Sequence, residues 1–349
     1  MQPRRARPRS QYPQAPARRP PGRGLGAAKL LLALLIAAAG GFAVYRAARL
    51  MMASLNPPPP PAVQEPAVDG AEWDEMTAGM RKLSRAYSGN VGIYMKDLRT
   101  GRVWEYNADE RFRSASLVKL PIMAAVFEKI ESGALSLDTQ VKLTGKERVG
   151  GSGSLKWVPN GTSLSVMELI YKMITESDNT ATRMLIDKVG MGYLSSAFEG
   201  LGLKYTNITQ QGMSLTSRPL RDDNFTTARE MAGLLERIYE GALVNKEASG
   251  YMLDVLKHNK SRNRLRRGLP IGWEIGHKTG LERRSCHDVG IVFSPRGDYV
   301  IAVLTGRVPS YSSAKSFIAR MARLTYKYYK VDSGLAALPE GRRPGEKVS

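Results

Sequence analysis

Strand-like alternation lies near both ends of this chain and helical periodicity fills the middle, which leaves few ways to close a sheet. Residues 91–96 and 103–106 alternate around the turn Arg99-Thr100-Gly101, the period of two expected of strands. Residues 274–278, 288–293 and 299–305 read the same way far downstream. Between them, residues 119–130, 166–175, 180–189 and 227–239 read as helices. The first strands must therefore meet the last, which predicts an antiparallel sheet completed by both ends of the domain and an all-helical subdomain beside it. Two further helices border the sheet segments. Residues 72–87 carry Trp73, Met76, Met80 and Leu83 on one face, and residues 312–329 carry Phe317, Ile318, Met321 and Leu324.

The flanks differ in composition from this domain. Residues 1–29 hold eight basic residues and no acid, a composition that predicts disorder. Residues 30–45 are apolar or small, between Lys29 and Arg46. Such a run is slightly short for a spanning helix, but Lys and Arg at its ends can snorkel to the interface. We expect a membrane anchor over 30–52 with a cytoplasmic N-terminus. The alternative is a cleaved signal segment with Gly41-Phe42-Ala43 as its small-residue site. Five prolines, 57–61, make 53–71 a stiff spacer. The expected domain is 72–330, followed by a flexible tail, 331–349. Either reading of the apolar run sends the domain out of the cytoplasm, to the outer face of the cell membrane or into secretion.

The chain has 349 residues, a net charge of +20 and one cysteine. The basic tail supplies eight of those charges, and no nucleic-acid-binding motif accompanies them, so nucleic acid is not expected as a partner. Cys286 is expected to be packed rather than nucleophilic. His258, His277 and His287 have no metal-ligand or triad spacing, and we expect neither metal nor cofactor.

Three short motifs carry the chemistry. Ser116 and Lys119 are three apart, so on a helix both side chains share one face. A lysine stripped of water beside other cations can lose its proton and act as a base for the serine. Ser114 is a poorer nucleophile candidate, because Leu117 occupies its i+3 position. Ser177-Asp178-Asn179 lies between two helical stretches, where a turn can present Ser177 as a proton relay and Asn179 to a substrate amide. Asp178 is expected to anchor the turn as a helix cap. Lys278-Thr279-Gly280 ends an apolar strand. Alternation puts Lys278 and His277 on opposite faces, so Lys278 faces the cleft and His277 is structural. Gly280 allows a substrate backbone to approach.

S-x-x-K, S-D-N and K-T-G in this order resemble the class A β-lactamases and their penicillin-recognising relatives. The resemblance extends over roughly 72–329. Ala108-Asp109-Glu110-Arg111-Phe112 resembles the approach to the nucleophile, 174–182 the central helix, and Arg264-Leu265-Arg266-Arg267-Gly268-Leu269-Pro270 with Trp273 the entry to the K-T-G strand. It implies an α/β (α+β) β-lactamase/transpeptidase-like fold with the active site between sheet and helices. It also implies Ser116 as the acylated nucleophile, Lys119 as base, Ser177 as relay, and Asn179, Lys278 and Thr279 as substrate holders. The backbone N–H groups of Ser116 and Leu281 would form the oxyanion hole, and Arg264 matches a carboxylate-binding arginine of part of the family.

One family feature is missing. Aligned without gaps from Leu201-Gly202, the chain reads Gly212-Met213-Ser214-Leu215-Thr216 where the family has E-x-x-L-N, whose Glu activates the deacylating water. No acid lies between Glu199 and Asp222, so a small shift in register cannot restore it. Glu176 is the nearest acid in sequence to the motifs. The expected protein is an exported serine hydrolase that opens β-lactams through an acyl-enzyme, with slow deacylation. The alternatives are a D,D-peptidase acting on peptidoglycan stem peptides, and a non-turnover sensor or scaffold. Gly212→Glu should raise turnover if only the base is missing.

Overall fold

A computed structural model describes residues 66–214 and 220–331. The basic tail, the apolar run 30–45, the proline run and the tail beyond 331 lie outside the described residues, as do Leu215 and Thr216. No helix among the described residues is long and apolar enough to cross a membrane.

The chain enters through α1, Gly70–Arg85, whose Asp69 cap accepts from Glu72 N while Glu72 reaches back to the cap, a reciprocal start that satisfies two orphan donors. Strands β1, Asn90–Asp97, and β2, Val103–Tyr106, follow. The helical layer holds α2, Lys119–Glu131, α3, Val166–Thr175, α4, Asn179–Val189, α5, Met191–Gly200, α6, Ala228–Tyr239, and α7, Lys246–Lys257. The chain returns to the sheet through β3, Glu274–Glu282, β4, Ser285–Phe293, and β5, Tyr299–Gly306, and ends in α8, Tyr311–Tyr329.

The sheet order is β2-β1-β5-β4-β3, antiparallel throughout. The expected closure of first strands on last is the β1–β5 ladder, with Met95 opposite Ile301. Both faces of the central strands are covered. Val289, Ile291, Val300, Ala302 and Leu304 pack with the helical layer, while Cys286, Tyr299, Ile301 and Val303 pack with α1 and α8. That two-sided cover explains why β4 and β5 read as nearly continuous apolar runs. Cys286 is buried, as expected of a packed thiol.

Strand alternation located the strands but ended one early and started another late. β3 runs four residues past Lys278 and β4 starts three residues before Asp288, because the pair continues into a tight hairpin at Arg283-Arg284. Helices α5 and α7 were not anticipated. The glycines within or beside them, Gly192, Gly200 and Gly250, weaken a periodic signal that tertiary packing of Leu194, Phe198 and Met252 overrides.

Candidate active site

Ser116 stands in a single tight turn, Ala115–Val118, that runs directly into α2. Ala115 adopts a left-handed φ of 45°, a strained conformation for a residue with a Cβ. Helix α2 is apolar nearly all round, and its first nine residues, from Lys119 through Phe127, are buried, as a helix enclosed by neighbours must be. Lys119 is carried inside with it and is 2% exposed. Burial lowers its pKa to about 7, opposed by the negative charges of Asp178 and Glu282.

The S-D-N turn meets this lysine. Asp178 caps α4 by accepting from Ala181 N at 2.8 Å, and its other oxygen accepts from Leu155 N at 2.8 Å. With the turn anchored on both sides, Ser177 is held at a left-handed φ of 54°. The Lys119 ammonium donates to Ser177 O at 2.7 Å, Ser177 Oγ at 3.2 Å and Asn179 Oδ1 at 2.7 Å. Asn179 Nδ2 donates to Gly150 O.

Strand β3 supplies the third part. Lys278 Nζ donates to Ser177 Oγ at 3.0 Å and to Thr279 O at 2.9 Å. Ser177 Oγ is therefore shared by the lysines of two motifs 159 positions apart in sequence. Lys278 is fully buried, and burial, then the charges of Lys119 and Arg264, hold its pKa well below the usual lysine value. Gly280 lets β3 press against the nucleophile turn: a Cβ there would lie 3.2 Å from Ser114 O and 3.3 Å from Ala115 Cβ. Leu281 follows with its side chain exposed.

The opposite face of β3 carries a separate buried group. His277 Nδ1 pairs with Asp288 Oδ1 at 2.9 Å, and Asp288 Oδ2 accepts from Leu265 N. His277 is thus structural, as alternation required. Arg264 is 4% exposed beside this group, and its Nε has no hydrogen-bond partner among the described residues. Its charge acts on Lys278, lowering that lysine's pKa.

The cleft that contains Ser116 is partly open, with a cavity volume of about 140 Å³. Ser116, Lys119, Asn179, Gly212, Met213 and Glu282 line it. Gly212 has no room for a side chain. A Cβ would sit 2.2 Å from Asn224 Oδ1 and 2.7 Å from Asn224 N, and Asn224 is fixed by accepting from Thr209 N at 2.7 Å. Gly212→Glu is expected to raise turnover if only the base is missing; this contact shows that the loop geometry differs as well. Glu176 is equally committed: Lys260 pairs with it at 2.6 Å and Ser154 Oγ donates to it at 2.6 Å. Burial pushes its pKa up, but those bonds and the charge of Lys172 outweigh that and hold it below the usual value.

Glu282 is the cleft residue that the motifs alone did not single out. The signal was available in the alternation that separated Lys278 from His277: two and four residues on, Gly280 and Glu282 share the Lys278 face.

Comparison with known proteins agrees with this geometry. The β-lactamase enzyme family matches residues 75–329. A β-lactamase of Streptomyces fradiae is 31% identical over 259 residues, covering 70% of this chain and 83% of that protein. The crystal structure of a β-lactamase from Sphaerobacter thermophilus DSM 20745 superposes with a TM-score of 0.67 at 30% identity, covering 73% of this chain and 97% of that one. PBP-A superposes with a TM-score of 0.66 at 26% identity, covering 76% and 98%. A point mutant of PBP-A, solved as an acyl-enzyme complex with penicillin G, gives 0.66 at 27%, covering 77% and 98%.

Proposed function

The chain belongs to the β-lactamase enzyme family and is a serine hydrolase of the β-lactamase type, and from that premise we propose that β-lactams acylate Ser116 and that the opened drug leaves slowly. The observation that carries this reading is the convergence of Lys119 and Lys278 on Ser177 Oγ beside the Ser116 cleft. With its pKa lowered to about 7, Lys119 is available as a neutral base near neutral pH. It takes the Ser116 hydroxyl proton as Oγ attacks the lactam carbonyl carbon. The ring C–N bond breaks, the nitrogen takes a proton from Ser177 Oγ, and Ser177 recovers one from Lys119. The backbone N–H groups of Ser116 and Leu281 receive the oxyanion, an interaction worth about 2.7–4 kcal/mol per donor. Asn179 holds the substrate side-chain amide. Lys278 and Thr279 receive its carboxylate, whose charge draws a proton back onto Lys278. Arg264 supports that carboxylate site electrostatically, consistent with its charge acting on Lys278.

Slow deacylation is supported by Gly212, where Asn224 excludes the side chain a loop base would need. The same feature favours a second reading, a D,D-peptidase that releases D-alanine from peptidoglycan stem peptides through the same serine. Both readings include export on the apolar run 30–45, with the domain at the outer face of the cell membrane.

Intact-protein mass spectrometry of the protein mixed with benzylpenicillin tests this. The expected result is a lasting adduct on Ser116 that is absent from Ser116→Ala. Rapid drug loss without an adduct would overturn slow deacylation. D-alanine release from a stem peptide with no adduct and no drug loss would select the peptidase.

A further inference from the structure

Hydrolysis of an acyl-serine needs a group that takes a proton from water on the acyl side of the cleft, and the expected position in the loop before α6 offers none: Gly212 is closed by Asn224, while Asp223 is buried in ion pairs with Arg113 and Arg283. Among the described residues lining the cleft, the carboxylate is that of Glu282. It stands at the end of β3 on the same face as Lys278 and Gly280, opposite Ser285. Its side chain is 23% exposed, so water reaches it while much of it is enclosed.

Glu282 is also held in place. Arg283 Nη2 pairs with its Oε1 at 2.7 Å and with Asp223 Oδ1 at 3.1 Å. Asp223 Oδ2 is bound in turn by Arg113 at 2.8 Å. Arg113 belongs to the segment leading into Ser116, and Asp223 to the segment leading into α6. One chain of charges therefore fixes the carboxylate against both walls of the cleft. Arg283 and Arg284 form the hairpin turn with φ of 43° and 61°. Asn and Gly are the residues favoured at such positions, and a left-handed conformation costs about 1–2 kcal/mol per ordinary residue. The strained turn delivers the Arg283 guanidinium to Glu282 and Asp223.

We propose that Glu282 is the general base of deacylation, holding and deprotonating the water that attacks the Ser116 ester from the β3 side of the cleft. The proposal rests on the acyl-enzyme reading above. Water oxygen bonds to the acyl carbonyl carbon as Glu282 takes its proton. The tetrahedral intermediate then collapses, the C–Oγ bond breaks, and the proton returns from Glu282 to Ser116 Oγ. The product is the free acid, and Glu282 is again a carboxylate. Burial raises the Glu282 pKa, and Asp223 reinforces that, while Arg283, Lys119 and Arg113 oppose it. A carboxylate with its pKa moved toward neutrality is a stronger base than an ordinary one.

The test follows adduct appearance and adduct loss separately, by intact mass, on the full chain with benzylpenicillin. In Glu282→Gln, appearance should stay within about twofold, and its full stoichiometry reports the fold. Adduct loss should slow by about 10²–10⁴-fold, the usual worth of general-base help. In the wild type, loss should rise with pH through a pKa above the ordinary carboxylate range; in Glu282→Gln that rise should vanish. Glu282→Asp should keep the pH profile at a reduced rate, and it carries the test if the Gln variant does not fold. Unchanged adduct lifetime in Glu282→Gln, or equal slowing of appearance and loss, would overturn the proposal while leaving the acyl-enzyme intact. So would a wild-type adduct that never decays. No adduct on the wild type would overturn the acyl-enzyme reading and this proposal with it.

Discussion

An ammonium ion shut away from water is a base in waiting, and Lys119 is in that position because α2 is buried around it. Its proton is held less firmly than in water, and among the described residues it donates to oxygens of Ser177 and Asn179. Since the neutral amine does the work, the acylation rate should rise with pH through about 7, which adduct appearance at a series of pH values measures. A stability effect accompanies it. Between about 7 and the ordinary lysine value of 10.5, the unfolded chain keeps a proton that the folded chain has released. The unfolded state binds more protons in that window, so this group's contribution to stability rises with pH across it. Below 7 both states are protonated and the burial penalty is felt in full. Melting temperature should therefore climb from pH 7 toward 9, and Lys119→Met should flatten part of that climb. Lys278, shifted in the same direction, accounts for the part that remains.

At the scale of elements, the loop before α6 and the β3–β4 hairpin divide the cleft between them. Asn224 ties the loop shut by accepting from Thr209 N and donating to Met213 Sδ. Gly212→Glu should therefore lower the melting temperature and bring no gain in β-lactam turnover, measured by thermal unfolding and by drug loss. A gain in turnover at unchanged stability would show that Asn224 yields. The absence of a loop acid was legible in sequence, because no Asp or Glu lies near Gly212 in the chain. That the space is filled by Asn224 was not, since the two are twelve positions apart and only folding brings them within contact. The hairpin shows the reverse case. Alternation from Lys278 reaches Glu282 directly, but the charges acting on it, Arg283, Asp223 and Arg113, come from segments that only folding brings together.

At the scale of the whole domain, one end of the sheet is clasped by the helices behind it. Tyr329, in the last turn of α8, donates to Asp97 Oδ2 at 2.6 Å at the end of β1. Asp97 Oδ1 accepts from Arg99 N and Thr100 N, which shapes the β1–β2 turn. Arg296 joins Glu72 of α1 to Tyr328 O of α8. These contacts hold α1 and α8 on the face of the sheet remote from the cleft, and β1 between β2 and β5. Tyr329→Phe removes one donor from a buried carboxylate. It should cost about 1–3 kcal/mol, read as a lower urea midpoint, and leave adduct formation on Ser116 unchanged.

The sequence by itself determined that strands from both ends of the domain pair, that Ser116 and Lys119 share a face, and that Lys278 and His277 part company. Each of these follows from short-range geometry: strand alternation, helical spacing and capping. Only the tertiary structure decided that Ser177 Oγ lies between two lysines, that Arg264 is buried with its charge acting on Lys278, and that Asn224 occupies the space over Gly212. Those outcomes depend on groups far apart in the chain competing for one volume and one set of hydrogen bonds, and no local pattern records which of them fills it.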